Sequence, residues 1–112
     1  MKYILLFGVL FLFSCASTQN NKDSKRKKTF TVYGNCGMCK KTIEASLEGV
    51  SGIYWSDWGI ESKELTVKFN PEAIDLNNIQ KRIAAVGYDS ENHRATKEVY
   101  NTLNGCCQYE RP

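Results

Sequence analysis

Hydrophobic residues recur with two different periods between Thr29 and His93, and the order in which those periods alternate leaves few folds open. Thr29-Phe30-Thr31-Val32-Tyr33 alternates polar with apolar or aromatic residues, the pattern of a half-buried strand. Gly34-Asn35 breaks it. From about Met38 to Leu47 the spacing becomes helical: Cys39, Ile43 and Leu47 share one face, Val50 extends it, and Lys40, Lys41, Glu44 and Glu48 lie opposite. After Ser51-Gly52, the segment Ile53 to Trp58 reads as a second strand with Ile53 and Trp55 pointing inward. Gly59 to Lys63 is a turn, and Leu65, Val67 and Phe69 then alternate with Glu64, Thr66 and Lys68 until Asn70-Pro71. Asp75 is placed to cap a second helix whose stripe is Leu76, Ile79, Ile83 and Val86, with Gly87 as its stop. Tyr88 to His93 fits a short, polar edge strand. The order strand, helix, strand, strand, helix, strand predicts an α+β, ferredoxin-like sandwich: four antiparallel strands with two helices on one face.

This domain, expected over residues 29–93, sits between two segments of different character. Met1-Lys2 is basic, Tyr3 to Phe13 is almost wholly apolar, and Ser14-Cys15-Ala16-Ser17 is small. That order is the order of a secretory signal, and the apolar run falls short of the roughly 20 residues needed to cross a bilayer. Leu12-Phe13-Ser14-Cys15 resembles the lipobox of bacterial lipoproteins. The resemblance implies removal of residues 1–14 and a lipid on Cys15, which would place the chain on a membrane of the bacterial cell envelope. Residues 15–28, with Lys22, Lys25, Arg26, Lys27 and Lys28, then read as a basic tether between lipid and domain. The net charge of +3 is mild, and a nucleic-acid role for an exported chain is not expected. Residues 94–112 form an extension in which Val99, Tyr100 and Leu103 line one face of a short helix that Asn104-Gly105 ends.

The chemistry concentrates in cysteine. Cys36-Gly37-Met38-Cys39 is a loop opening onto the first helix, so both sulfurs can reach one ion. Thiolates are soft ligands and favour Cu(I), Zn(II), Cd(II) or Hg(II) over hard cations. The exposed N–H groups and positive dipole end of a helix start stabilise thiolate, the form that binds metal. Two thiolates satisfy Cu(I) in a linear arrangement but leave Zn(II) short of its usual four ligands, so Cu(I) is the preferred ion. Met38 is read as an exposed loop side chain that can offer a thioether. Two other uses of the motif are a thiol–disulfide oxidoreductase with Cys36 as nucleophile and a structural disulfide. The first usually sets a proline against the site, and neither Pro71 nor Pro112 is placed for that; the second closes too small a loop to stabilise much.

From about Thr29 to Tyr88 the chain resembles the heavy-metal-associated (HMA) domain family, which includes copper chaperones, N-terminal modules of metal-pumping ATPases and mercuric-ion-binding periplasmic proteins. The matching segments are Gly34 to Cys39, Ile43-Glu44, Leu47, Gly49 to Ile53, Leu65 to Pro71 and Ile83 to Tyr88. The resemblance implies a binding protein rather than an enzyme. Cys36 and Cys39 would be the metal ligands, Tyr88 the aromatic beside them, and a metal-transporting ATPase or efflux component the partner. Gly34 stands where the family usually packs a methionine into the core, and Asn35 where it has threonine or histidine, so the loop is expected to pack differently.

Cys106 and Cys107 lie outside that resemblance. Adjacent cysteines bond to each other only through a strained ring. Three arrangements stay open: the tail folds back and adds one or both sulfurs to the Cys36–Cys39 site, the pair forms a separate metal site, or it forms disulfides with the loop. The first is preferred. His93, the only histidine, is not counted as a ligand.

Overall fold

The computed structural model describes residues 26–112. The signal segment, the lipidation position Cys15 and most of the basic tether lie outside the described residues. Strand β1 spans Lys27–Thr31, helix α1 Gly37–Ala45, β2 Ile53–Trp58, β3 Glu64–Phe69 and helix α2 Leu76–Ala85. The extension adds a short helix α3, Lys97–Asn101, and a 3₁₀ turn, Gly105–Cys107. Strand β1 begins two residues before the domain boundary expected at residue 29: Lys27 and Lys28 pair with Lys68 and Val67 in the sheet. Among the described residues no helix is long and apolar enough to cross a membrane.

The sheet has the order β1-β3-β2, antiparallel throughout. Phe30 and Trp58 flank Leu65 on its inner face, and Val67 and Phe69 continue that face along β3. Cys39, Ile43 and Leu47 of the first helical segment and Ile79 and Ile83 of α2 pack with these residues into one core cluster. Each such aliphatic side chain contributes roughly 1.5–3 kcal/mol on burial. Asp75 caps α2 as its position suggested, with Oδ1 accepting from Asn78 N at 2.8 Å. The result is the ferredoxin-like α+β fold with two main helices.

Two details of the sheet differ from the sequence expectation. Among the described residues three strands are hydrogen-bonded, and where a fourth was expected at Tyr88–His93 there is one bridge, Val32 to Ser90. Tyr33 N donates to Asp89 O, but Ser90 N then turns back to His93 O, so the segment leaves β1 after one contact. In β2, Ile53 faces Phe69 while Trp55 faces Lys68, an irregularity that places two residues opposite one. Such a bulge reverses which side chains point inward beyond it. Trp55 therefore stands 43% exposed with Lys27 Nζ 5.7 Å from its ring centroid, and Trp58 takes the inward place at 0%.

The extension is packed into the domain. A five-residue helix is too short to persist alone, and α3 is held by Tyr100 and Leu103, both packed against the core. Gly87, at φ +106°, lets Leu103 approach so closely that a Cβ there would lie 2.9 Å from Leu103 Cδ2. Tyr109 stacks on Tyr88 with centroids 5.7 Å apart and meets Tyr100 edge-on at 5.1 Å. Its hydroxyl donates to Gly87 O and accepts from Asp89 N.

Candidate metal site

Cys36 is the N-cap of α1 and Cys39 is the last residue of its first turn, so the strand-to-helix turn presents both sulfurs at the helix start. Cys36 Sγ and Cys39 Sγ are 3.8 Å apart. Cys36 is partly exposed and Cys39 fully buried. Backbone N–H groups of Cys39 and then Met38 aim at Cys36 and hold its thiol down at about 7, well below the ordinary value. Cys39 Sγ accepts from Asn35 N at 3.4 Å.

The floor under this loop is Trp58. A Cβ at Gly34 would stand 2.9 Å from Trp58 Cη2 and 3.3 Å from Cys39 Cβ, so the indole occupies the space a side chain at position 34 would need. Trp58 is fixed by its Nε1–H donating to Val32 O at 2.9 Å. Lys40, expected on a solvated helix face, instead straps α1 to β2. Its ammonium donates to Glu44 Oε2 at 2.6 Å, Asp57 Oδ1 at 2.8 Å and Trp58 O at 2.8 Å. Asp57 and then Glu44 raise its pKa above the ordinary lysine value.

The extension brings the second cysteine pair to the first. Sγ atoms of Cys36, Cys106 and Cys107 all lie within 4.8 Å of one another. Asn35 Nδ2 donates to Cys106 O at 3.4 Å, and the Cys36 thiol points at the same oxygen at 3.7 Å. Cys106 is exposed, and its sulfur lies 3.6 Å from Met38 Sδ; Met38 is exposed as expected and touches the cluster as well. Cys107 is buried, and desolvation pushes its thiol up to about 12. Among the described residues all four cysteines are free thiols.

Tyr88 sits behind these sulfurs. It is fully buried, and its hydroxyl has no hydrogen-bond partner, a rare condition for a buried polar atom. Burial first, and then the neighbouring Cys39 and Cys107, push its ionisation above the ordinary tyrosine range. His93, by contrast, pairs with Asn77 Oδ1 at 2.6 Å, away from the cysteines.

Three residues that position the cluster, Asp89, Tyr109 and Arg111, were not identified from the sequence. Arg111 donates from Nε to Asp89 Oδ2 at 2.8 Å and from Nη2 to Asp89 Oδ1 at 2.7 Å and Ala95 O at 2.6 Å. Tyr109, between the cysteine pair and Arg111, is buried against Tyr88. These partners are about twenty residues apart in sequence, beyond the reach of any local periodicity; the one available hint was an Asp directly after the Gly87-Tyr88 helix stop.

The model of the heavy-metal-associated domain matches residues 29–89 of this chain. Over 71 residues the chain is 35% identical to a zinc-transporting ATPase of Synechocystis sp., a stretch covering 63% of this chain and 9% of the ATPase. It is 26% identical over 55 residues to the copper chaperone CopZ of Staphylococcus aureus, covering 49% of this chain and 81% of CopZ. Among solved structures, a copper-binding domain from HMA7, a P-type ATPase, aligns with a TM-score of 0.56 at 27% identity, covering 59% of this chain and 90% of that domain. A CopZ metallochaperone aligns with a TM-score of 0.55 at 25% identity, covering 57% and 97%. Cys106 and Cys107 lie beyond the matched residues.

Proposed function

Because this chain belongs to the heavy-metal-associated domain family, we propose that it captures a soft metal ion, Cu(I) above the others, through Cys36 and Cys39 and buffers it or passes it on by ligand exchange. The observation that carries this reading is the pair of sulfurs 3.8 Å apart at the start of α1, one of them partly exposed and with its thiol held down at about 7. An exposed thiolate is open to an incoming ligand, so an ion can move between proteins by forming one sulfur bond as another breaks. Transfer of this kind needs no catalytic step. A metal-transporting ATPase or efflux component is the natural recipient, since the relatives include a zinc-transporting ATPase. The apolar start of the chain and the Leu12-Phe13-Ser14-Cys15 segment support export and a lipid on Cys15, putting this exchange at the bacterial cell envelope.

Anaerobic titration of reduced protein with Cu(I), Zn(II) and Hg(II) tests the proposal. One equivalent of Cu(I) binds the native chain, and Cys36→Ser/Cys39→Ser weakens that binding sharply. A reduced, folded chain that takes up none of the three ions would refute it. Vigorous insulin reduction by the metal-free protein would instead assign thiol–disulfide exchange.

A further inference from the structure

We infer that Cys106 and Cys107 are metal ligands supplied by the chain's own extension, so that a soft ion held at the Cys36–Cys39 loop meets at least three sulfurs. This rests on the metal-binding reading above and adds to it residues that lie beyond the family match.

Several observations converge on one point. Metal–sulfur bonds of about 2.3 Å place three coplanar sulfurs about 4.0 Å apart. Cys36, Cys106 and Cys107 lie within 4.8 Å of one another, so closing on an ion requires each separation to shrink by less than about 1 Å. The extension is held in that position from both sides. Asn35 grips the Cys106 carbonyl on the loop side. On the other side, Arg111 engages the fully buried Asp89 with two donors, and Tyr109 bonds to both Gly87 and Asp89. A segment held so firmly with two cysteines turned onto a thiol loop pays little ordering entropy on binding. The buried Tyr88 hydroxyl, next to Cys39 and Cys107 and without a partner, is a donor waiting for an acceptor. A metal-bound thiolate at either sulfur is a far better acceptor than the neutral thiol.

The chemistry balances without a redox partner. Each thiol that ligates releases its proton to solvent, and the ion keeps the oxidation state in which it arrives. Release then requires an incoming ligand to break more than two sulfur bonds, so the extension makes the protein a slower donor than the open loop alone.

The test is competition for Cu(I) between the full chain and a colorimetric Cu(I) chelator, anaerobically, with sulfur coordination counted by X-ray absorption. The native chain shows three or more sulfurs, and Cys106→Ser/Cys107→Ser shows two and loses Cu(I) to the chelator at least about tenfold more readily. Cys106 is exposed, so Cys106→Ser alone leaves the fold intact and still lowers the sulfur count or the retention. Native retention and an unchanged count in both tail variants, with binding abolished in Cys36→Ser/Cys39→Ser, would overturn the role of the extension while leaving the loop as the site. Failure of the native chain to bind Cu(I), Zn(II) or Hg(II) would remove both readings together.

Discussion

Arg111, the penultimate residue, places two donors on the carboxylate of Asp89, the residue that follows Tyr88 at the back of the cysteine cluster. The carboxylate is fully buried and the guanidinium nearly so, at 17% side-chain exposure, with the guanidinium carbon 4.8 Å above the Tyr100 ring centroid. Asp89 Oδ1 also accepts from Ala95 N at 2.7 Å. One charge pair thus fastens both ends of the extension to the domain.

Breaking that pair from one side leaves a buried charge without its partner, which typically costs about 3–5 kcal/mol. Arg111→Met is expected to lower unfolding free energy by about that much in urea titrations. Asp89→Asn/Arg111→Met should recover part of the loss, because no uncompensated charge remains. A double variant as unstable as the single one would show that the pair acts through shape rather than charge.

The same pair sets an acid limit. Burial pushes the Asp89 carboxyl up, but Arg111 and the Ala95 N–H outweigh it and hold its pKa below the ordinary value. A group whose folded pKa is depressed stabilises the fold at pH above its unfolded value, about 3.9, and loses that contribution as pH falls through the folded value. Thermal midpoints of the metal-free chain should therefore be flat above about pH 5 and drop below about pH 4, with a shallower drop in Asp89→Asn/Arg111→Met.

Cysteine reactivity should rank by environment. With its thiol held at about 7 and its sulfur partly exposed, Cys36 is expected to be alkylated rapidly, its rate rising as pH passes through 7. Cys107, buried and pushed up to about 12, should react last. Mass spectrometry of protein pulsed with iodoacetamide between pH 5 and 9 gives the order directly, and Cys107 labelling alongside Cys36 at pH 7 would contradict the packing described.

Gly34 and Trp58 should behave as a coupled pair. Gly34→Ala forces the indole to shift, and overpacking of this kind costs about 1–3 kcal/mol. In a Trp58→Leu background the same glycine substitution should cost less, since the ring that a Cβ would strike is gone. A double-mutant cycle in urea unfolding measures the coupling.

Tyr88→Phe removes a buried hydroxyl that has no partner, a group whose burial costs about 1–3 kcal/mol. The metal-free variant should be at least as stable as the native chain. A loss of more than about 1 kcal/mol would mean that the hydroxyl is bonded to Cys39 or Cys107.

Local signals located most of the fold. The four-residue step from Cys39 to Leu47, the stripe from Leu76 to Ile83 and the alternation at Leu65, Val67 and Phe69 each describe a surface that must be covered, and all became core except Leu76, which is partly buried against it. Parity in β2 was not legible, because an extra residue at Tyr54 changes no composition yet exchanges the fates of Trp55 and Trp58. The strand expected at Tyr88–His93 is reduced to one bridge because Ser90 N turns back to His93 O, a local turn that the residue pattern did not announce. At the site, the Cys36–Cys39 loop could be read from spacing. The approach of Cys106 and Cys107 could only be suspected, since Tyr100, Leu103, Tyr109 and Arg111 determine it through contacts made after the chain folds.

Trp58, wedged beneath Gly34 and shut off from water, also makes the chain a natural optical gauge. Indole emission shifts to the blue in apolar surroundings, so Trp58 and the solvent-facing Trp55 differ in colour as well as in place. A shift of the thiol loop at Gly34 is expected to press on the buried ring, because a Cβ there would stand 2.9 Å from Trp58 Cη2. A change of blue-edge emission on metal titration checks this, with no dye attached and no cysteine consumed.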